Sequence, residues 1–417
     1  MKASTKLLLT VPFLLMPWLK SSASELEVLH WWTSPGEKQA LAELQTRMDN
    51  KGYQWEDFAI IGGGGSEAIN VLKSRIISGN PPAAAQIKGT TIQKWSNLNL
   101  IADVDQIAKS NQWDALLPES LKSSLKFDNK YVAAPLNIHR INWMWVNPKP
   151  FAAINKPVPA TWQQLIDAAS LLQKKGYQPL ALGNEDWQYS MLFENVLLAT
   201  QGADYYRKAL VELNDDALSS KKMVDVFELL SEIRAFLPPN SADRKWDSAT
   251  RQLIDGTAAI QFSGDWVKGE ISYYGKQPGT DILCLPAPQT VNAFIYTVDT
   301  MVMFPSTDSK QVKAQNEFAK TMMEAEFQTA FNQKKGSIPI RQDISSALFD
   351  QCAQASMAAF KKSDQQATLV PSMVHSMAVD ERVQRSFFEV LDYFFKHPTV
   401  SAEQAAKQLA TAIKASH

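Results

Sequence analysis

Residues 27–37 read Glu27-Val28-Leu29-His30-Trp31-Trp32-Thr33-Ser34-Pro35-Gly36-Glu37. The apolar run at the start of this stretch has the character of a strand, and it stops at two adjacent tryptophans. Thr33, Ser34 and Pro35 are residue types that begin helices. The stretch therefore predicts a strand-to-helix corner. In an open α/β sheet such corners lie at the carboxyl ends of the strands, where ligands bind.

The two tryptophans are unusual at a strand end, because buried strands prefer smaller aliphatic residues and an indole needs both volume and a partner for its N–H. Trp31 or Trp32 taken alone could equally be a core residue. The pair is less suited to the core, because neighbouring residues of a strand point to opposite faces. A flat apolar ring beside a carboxylate, here Glu37, suits a sugar, whose C–H face covers the ring while its hydroxyls bond to charge.

The first 23 residues have the pattern of a secretory signal peptide. Lys2 and Lys6 precede an apolar segment from Leu7 to Leu19, and Ser21-Ser22-Ala23 supplies the small residues of a cleavage site. An apolar segment of thirteen residues with two prolines is too short to span a bilayer well. We therefore expect residues 1–23 to be removed and the mature protein to be periplasmic.

Composition narrows the class of protein. Without Lys2, Lys6 and Lys20 the chain carries 39 basic and 43 acidic side chains, a balance that argues against a nucleic-acid partner. About 390 residues exceed what one core usually supports, so we expect two lobes.

Cys284 and Cys352 are the only cysteines. We expect them to be bridged in an oxidising compartment, although 68 residues of separation do not establish proximity. Neither a metal nor a cofactor is expected from so few cysteines and five histidines.

Two further segments of the first half carry glycine or polar residues at strand ends. Gly62–Gly65 precede a predicted helix, but no phosphate-binding pattern follows them. We expect a tight turn that brings the backbone close to a ligand or partner, with Ser66 as the helix N-cap. Gln86 and Lys88 lie two residues apart at the end of a short strand, so both point to one side. That side is either a crevice or, for Lys88, solvent beside a turn.

The second half contains similar signals. The apolar strand 258–262 runs into Trp266, which places another indole just past a strand end. Asp299 interrupts an apolar stretch. Lys335 precedes a glycine at which a helix is expected to end, and a lysine at the C-terminus of a helix complements the helix dipole. Trp187 lies in a polar loop and is expected to be exposed. No Gly-x-Ser-x-Gly or His-Glu-x-x-His motif is present, so no catalytic residues are expected.

Together these motifs resemble the family 1 extracellular solute-binding proteins of ABC sugar importers, and most closely their glucose-binding branch. One departure is Pro35, where the family often has glycine, which makes the position of Glu37 less certain. The resemblance runs in order through nearly the whole chain after the signal peptide. It is carried by His30-Trp31-Trp32-Thr33-Ser34-Pro35-Gly36-Glu37, 62–68, 72–75 through 79–82, Gln86-Ile87-Lys88-Gly89, Pro135-Leu136-Asn137-Ile138-His139-Arg140, Gly264-Asp265-Trp266 and Lys335-Gly336-Ser337-Ile338-Pro339.

The resemblance implies an α/β fold of two lobes, a Venus-flytrap arrangement with a hinge. We expect residues 25–135 with 294–340 in the N-terminal lobe and residues 136–293 with 341–417 in the C-terminal lobe. The chain would cross between them near 135–139, 286–294 and 339–343, where proline and asparagine punctuate the pattern. On the matching positions, the implied ligand-binding residues are Trp31, Trp32, Glu37, Gln86, Lys88, Trp266, Asp299, Lys335 and His375.

The implied function is capture of a monosaccharide, glucose or a close aldohexose, by lobe closure. An ABC permease would recognise the closed form, a chemoreceptor is a further candidate partner, and a monomer is expected. A binding protein for an oligosaccharide or a polyol remains an alternative. A secreted carbohydrate-active enzyme would need two carboxyl groups about 5–10 Å apart, for which Glu37 and Asp299 are the candidates. Their expected pairing with Lys88 and Lys335 would keep both ionised and leave no general acid.

Overall fold

The computed structural model describes residues 26–62, 65–238 and 244–417. The predicted signal peptide, residues 1–23, lies outside the described residues. The strands are β1 (Leu26–His30), β2 (Trp55–Ala59), β3 (Ala84–Ile87), β4 (Lys126–Phe127), β5 (Lys130–Tyr131), β6 (Ala134–Pro135), β7 (His139–Arg140), β8 (Trp143–Val146), β9 (Gln178–Leu180), β10 (Ala258–Phe262), β11 (Leu283–Pro286), β12 (Phe294–Thr297), β13 (Thr300–Met303) and β14 (Leu369–Pro371).

Helices surround these strands. They are α1 (Pro35–Asn50), α2 (Ser66–Ile77), α3 (Thr90–Asn97), α4 (Asp105–Ser110), α5 (Trp113–Leu116), α6 (Glu119–Leu125), α7 (Pro148–Ala153), α8 (Trp162–Lys174), α9 (Asp186–Leu210), α10 (Asp215–Leu218), α11 (Lys221–Arg234), α12 (Trp246–Asp255), α13 (Val267–Tyr273), α14 (Ser309–Met322), α15 (Ala325–Lys335), α16 (Gln351–Gln365), α17 (Glu381–Lys396) and α18 (Ala402–Ser416). Within the described part of the chain, none has the length and apolarity needed to cross a membrane.

Three sheets organise the two lobes. A five-stranded sheet has the order β2-β1-β3-β13-β6. In it β1 is parallel to its neighbours β2 and β3, and β13 is antiparallel to its neighbours β3 and β6. A four-stranded sheet has the order β11-β8-β10-β9. A small sheet, β14-β12-β7, lies where the chain passes from one large sheet to the other. We call this small sheet the hinge sheet.

Two hydrophobic clusters fill the lobes. The first, around the five-stranded sheet, draws on residues 26–138, Phe294 and residues 298–360. The second, around the four-stranded sheet, draws on residues 141–287, Ile295 and residues 370–413. We call these the first and second lobe. Two cores with an intervening hinge sheet confirm the predicted two-lobed α/β fold.

The third crossing differs from the prediction. Residues 341–417 were assigned to the C-terminal lobe, but Ile344, Phe349 and Phe360 are buried in the core of the first lobe. Ile338 forms an antiparallel bridge with Ile138, so the proline that follows it marks a turn within the first lobe. The chain crosses instead at β14, whose partner β12 is itself part of the hinge sheet.

The strand-to-helix corner forms as its sequence predicts. Ser34 is the N-cap of α1 and makes a capping box with Glu37, while Pro35 is the first helical residue. At α2 the N-cap is Gly65 and not Ser66. Gly65 has φ +89°, and a Cβ there would lie 3.0 Å from the ring of Trp31. Glycine is therefore required both by the backbone and by its close approach to the indole.

The two cysteines form a disulfide across the lobes, which confirms the expected bridge. Cys284 lies on β11 of the second lobe, and Cys352 lies on α16, which packs in the first core; their Cα atoms are 6.0 Å apart. Because the bonded residues are 68 positions apart, the bond closes a long loop of the unfolded chain.

Replacing both Cys284 and Cys352 by alanine should lower the free energy of unfolding by about 2–4 kcal/mol, because the unfolded chain gains the entropy of the opened loop. Thermal unfolding of the double variant, beside oxidised and reduced wild-type protein, measures this change. Reduced wild-type protein should behave like the variant. Equal melting temperatures for all three samples would contradict the prediction.

Candidate functional site

A cavity of about 460 Å³, its mouth included, lies between the lobes. The first lobe contributes its charged wall, Glu37, Lys88, Asp299 and Lys335. The second lobe contributes an aromatic wall of three indoles and one imidazole. The complete lining is Trp31, Trp32, Thr33, Glu37, Lys88, His139, Trp187, Trp246, Trp266, Asp299, Lys335 and His375.

Eight of the nine predicted site residues line this cavity, and Gln86 does not. Gln86 is fully buried on β3, opposite Met301 of β13. Its amide nitrogen donates to Asp299 Oδ1 at 3.1 Å, and its oxygen accepts from the Trp31 backbone N–H at 3.4 Å. Gln86 therefore supports two lining residues from behind, because it lies within the sheet whereas Lys88 follows the end of the strand.

The sequence prediction missed four lining residues. Thr33 and His139 lie in sequence motifs that carry the family resemblance. Their positions in these motifs could therefore have identified them as lining residues. Trp187 was expected to be exposed but is only 4% exposed, because α9 begins beside it and docks into the second lobe. Trp246 begins α12 and follows no strand end, so no local pattern pointed to it.

The N-terminus of α1 and the C-terminus of α15 hold one carboxylate of the charged wall. Glu37 Oε2 accepts from the backbone N–H groups of Thr33 at 3.2 Å and Ser34 at 3.3 Å. Its Oε1 accepts from Lys335 Nζ at 3.0 Å. The Lys335 ammonium also lies 5.6 Å from the centre of the Trp32 ring. Both charged groups are thus oriented by the protein before any ligand contact.

Asp299 is the second carboxylate of this wall, and it is fully enclosed by donors. Lys88 Nζ lies 2.8 Å from its Oδ1, and Asn137 and His139 reach its Oδ2 at 3.1 and 2.9 Å. Burial alone would raise the pKa of Asp299. The positive charges of Lys88 and His139 outweigh burial and hold the pKa well below its ordinary value. Asp299 is therefore ionised.

His139 joins the lobes through two carboxylates. It lies on β7 of the hinge sheet, where Nε2 bonds to Asp299 of the first lobe and Nδ1 bonds to Asp265, which precedes Trp266 in the second lobe. Burial alone would lower the pKa of His139, but the charges of Asp265 and Asp299 reverse this and leave it raised. A protonated imidazole donates from both nitrogens, which matches the two acceptors.

Trp266 is the centre of the aromatic wall. Its ring lies 5.2 Å from His375, 6.1 Å from Trp187 and 6.5 Å from Trp246, each in an edge-to-face arrangement. Burial lowers the pKa of His375 well below its ordinary value, and the charges of Lys88 and His139 add to the effect. His375 is therefore neutral and presents one donor and one acceptor.

Three buried polar atoms of this wall have no hydrogen-bond partner among the described residues. They are both ring nitrogens of His375 and the indole nitrogen of Trp187. Buried polar groups are almost always bonded in native proteins. These atoms belong to side chains that line the cavity, so the wall offers two donors and one acceptor to a polar ligand.

A buried carboxylate behind the cavity fixes the loop that carries His375. Glu194 of α9 accepts from Tyr206 Oη at 2.6 Å, Ser372 Oγ at 2.9 Å and the Met373 backbone N–H at 2.5 Å. Burial raises the pKa of Glu194 to about 7, although these hydrogen bonds oppose the shift. The loop that presents His375 therefore rests on a group that titrates near neutrality.

The chemistry of the cavity is that of a binding site with rings, fixed charges and free hydrogen-bonding groups. Over the described ranges, no group of three or more His, Cys, Asp or Glu residues is placed to hold a metal ion. The carboxylates that line the cavity, Glu37 and Asp299, are each bonded to a lysine.

Comparison with known proteins gives consistent matches. A family model described as bacterial extracellular solute-binding protein matches residues 31–329. A probable sugar-binding periplasmic protein of Brucella suis is 37% identical over 389 residues, covering 93% of this chain and 92% of that protein. A probable sugar-binding periplasmic protein of Rhizobium meliloti is 34% identical over 394 residues, covering 94% of this chain and 94% of that protein. The solved structure of the bacterial solute receptor AcbH has a TM-score of 0.78 at 17% identity, covers 94% of this chain and 98% of that one, and shows similarity of fold.

Glu194 should make folding stability depend on pH. Its pKa in the folded protein, about 7, lies above the ordinary value of 4.5, so its contribution is present at low pH and is lost as the pH rises through 7. The loss amounts to at most roughly 3 kcal/mol. Melting temperatures of Glu194→Gln, measured from about pH 5 to 8, should lack this decline.

Glu212→Gln is the matched control, because Glu212 is exposed just beyond the end of α9. It should retain the wild-type decline in melting temperature. If Glu194→Gln and Glu212→Gln show the same pH dependence, Glu194 does not titrate in this range.

Proposed function

We propose, since the chain belongs to the family of bacterial extracellular solute-binding proteins, that it captures a monosaccharide, most favourably glucose, in the periplasm and delivers it to an ABC permease. The observation that carries the proposal is the pairing of a charged wall in one lobe with an aromatic wall in the other. The predicted site residues, with Gln86 as a support, and the four additional lining residues form the proposed pocket.

A pyranose fits both walls at once. Its ring C–H groups pack on the Trp266 face, which supplies rigid apolar area at low entropy cost. Its hydroxyls bond to Glu37, Lys88 and Lys335, and hydrogen bonds to charged groups are roughly twice as strong as neutral ones. The unpartnered atoms of His375 and Trp187 supply further donors and an acceptor. β-Glucopyranose, with all its hydroxyls equatorial, leaves both ring faces free to pack on indoles.

The lining of the cavity supports a single ring. Twelve side chains, drawn from both lobes, surround it closely. Indoles and charged groups enclose it from both lobes. These features support a monosaccharide over an oligosaccharide.

The proposed mechanism is closure about the hinge sheet. A ligand that contacts both lobes binds the closed state more tightly and shifts the population towards it. The permease then recognises the closed form of a monomeric protein, and a chemoreceptor is a second proposed partner for the same form.

The proposed function excludes catalysis. A glycosidase needs one carboxyl group to act as a general acid. Asp299 is held ionised by Lys88 and His139, and Glu37 accepts a hydrogen bond from Lys335, so both candidates act as acceptors in this arrangement. Release of reducing sugar when the pure protein is incubated with glycosides would overturn this part of the proposal.

Calorimetric titration with glucose, galactose, mannose, xylose, maltose and mannitol tests the ligand. Glucose should bind tightly and maltose should give no heat of binding, because a second ring exceeds the enclosed space. Tight binding of maltose without binding of glucose would refute the monosaccharide assignment.

Removal of single wall residues should weaken glucose binding. Glu37→Ala, Lys88→Ala and Trp266→Ala should each raise the Kd at least about tenfold, or 1.4 kcal/mol, because each loses a charge-assisted bond or ring contact in a closed cleft. Lys94→Ala, at an exposed lysine of α3, is the matched control for Lys88→Ala and should bind like wild type. Unchanged affinity in all three variants would place the ligand elsewhere.

Trp32 is more deeply buried than Trp266, which is 8% exposed at the edge of the core of the second lobe. It is 1% exposed, packs on Phe331 and belongs to the core of the first lobe. Trp32→Ala should therefore weaken glucose binding and also cost roughly 3–5 kcal/mol of folding stability. Melting temperatures of the unliganded variants, measured beside their affinities, separate the two effects.

A further inference from the structure

The lobes touch directly at a contact outside the cavity. The carboxyl group of Glu270 of α13, in the second lobe, lies 2.6 Å from Ser34 Oγ and accepts a hydrogen bond from the Gly36 backbone N–H at 2.8 Å. It thereby caps the N-terminus of α1, a helix of the first lobe, where a negative or acceptor group is favoured. Glu270 is 1% exposed, and none of these three residues lines the cavity.

Two glycines allow this approach. A Cβ at Gly36 would lie 2.6 Å from the carbonyl carbon of Gly269 and 2.8 Å from the Glu270 nitrogen. A Cβ at Gly269 would lie 2.8 Å from the carbonyl oxygen of Lys334 at the end of α15. Since real Cβ atoms do not approach backbone so closely, α13 can meet α1 and α15 only because both positions lack a side chain.

The shared hydroxyl group has one hydrogen for two carboxylates. Ser34 Oγ lies 2.6 Å from Glu270 Oε1 and 3.1 Å from Glu37 Oε2. A serine hydroxyl can donate only once, so it bonds to one of the two carboxylates, and both contacts become hydrogen bonds only when a second proton is present. Glu37 is paired with Lys335, whereas Glu270 has no ion pair within the described ranges.

The surroundings of Glu270 favour its neutral form. Burial raises its pKa, and the charges of Glu37 and Asp247 add to this, against the bonds from Ser34 and Gly36. The charges that act on Glu270 from the helices packed against α13 are Glu37 of α1 and Asp247 of α12, and α15 ends beside α13 with Lys334 and Lys335. Both lysines are already paired, with Glu43 and Glu37 respectively.

We propose that Glu270 is a proton-carrying latch of the closed form, whose carboxyl group donates to Ser34 while the Ser34 hydroxyl donates to Glu37 and so positions it in the cavity. The proton enters from solvent as the lobes close. It returns to solvent when they open, because Glu270 then loses Ser34 and Gly36 and is hydrated. The inference rests on the proposed function, since sugar binding is the principal readout of closure.

The sign of the pH effect follows from this arrangement. The closed form binds the Glu270 proton more tightly than the open form, so Glu270 makes lower pH favour closure and raise sugar affinity. His375 acts in the opposite direction, because its burial lowers its pKa, so the effect of Glu270 is the difference between wild-type protein and Glu270→Gln. The gain is lost as the pH rises through the range in which closed-form Glu270 ionises. One linked proton changes the Kd by at most about tenfold per pH unit.

Glucose titrations from about pH 5 to 8, each in two buffers of different ionisation enthalpy, measure the protons taken up on binding. Glu270→Gln, whose amide keeps one donor and one acceptor, should bind well at every pH. Wild-type protein should take up more protons on binding than this variant, and its Kd relative to that of the variant should fall at least about tenfold from the alkaline to the acidic end. Glu381→Gln is the control, because it breaks another inter-lobe contact of a carboxylate, with Lys73 at 2.5 Å, and should leave proton uptake unchanged.

Gly36→Ala tests the contact itself. Alanine suits a helix, so the melting temperature of the unliganded protein should not fall, whereas the Kd for glucose should rise at least about tenfold at every pH. Equal proton uptake by wild-type protein and Glu270→Gln, or an identical pH profile in the two, would overturn the latch and leave the proposed function intact.

Small-angle X-ray scattering of the unliganded protein tests the latch without any sugar. Wild-type protein should be more compact at about pH 5 than at pH 8, and Gly36→Ala should remain extended at both. If no sugar binds, the proposed function fails. A radius of gyration that does not change with pH would overturn the latch, whether or not sugar binds.

Discussion

The buried charge network of Lys88, Asp299, His139 and Asp265 is the constraint on which the rest of the site depends. Each charge is removed from water, which costs several kcal/mol unless partners surround it. Asp299 is compensated by a cation on either side, and His139 by a carboxylate on either side. Loss of any member leaves a neighbour uncompensated. The first lobe, the hinge sheet and the strand end before Trp266 are thereby held in one mutual position.

This network explains the division between the two walls. The charges of the first lobe are already paired with each other, so their geometry does not wait for a ligand. The second lobe then needs to supply little charge, and it presents rings and neutral hydrogen-bonding groups around Trp266. A ligand must satisfy both walls to gain from closure. That requirement selects for a small molecule that is apolar on its faces and polar around its rim.

Local chemistry sufficed to predict those site residues that lie at element ends. The capping box at Ser34, the indole after β10 and the lysine before Gly336 are decided by nearest neighbours and by the termini of their own helices or strands. The alternation of side chains along β3 predicts on which face of the sheet Gln86 lies. It does not predict how far Gln86 lies from the end of the strand, and therefore whether it reaches the cavity.

Long-range packing decided what the sequence could not show. Trp187 is buried only because α9 docks against the second core, and its neighbours in the chain are polar. Proline occurs at turns within a lobe as well as where the chain crosses between lobes. The sequence therefore could not show which of the two Pro339 marks. The same limit applies to Gln86 and Trp246, whose surroundings come from distant segments.

The structure contains contacts that hold the lobes together and buried polar atoms that oppose this arrangement. Glu270 with Ser34, Lys73 with Glu381, and Thr90 with Ser376 join the lobes without any ligand. Against them, the ring nitrogens of His375 and the indole nitrogen of Trp187 are buried without partners from the described residues, at a cost of about 1–3 kcal/mol for each. Under the proposed mechanism, a sugar whose hydroxyls bond to these atoms removes that cost. Closure would then depend on the ligand because the ligand supplies the missing hydrogen bonds, and the contacts between the lobes would set how many of those bonds are needed.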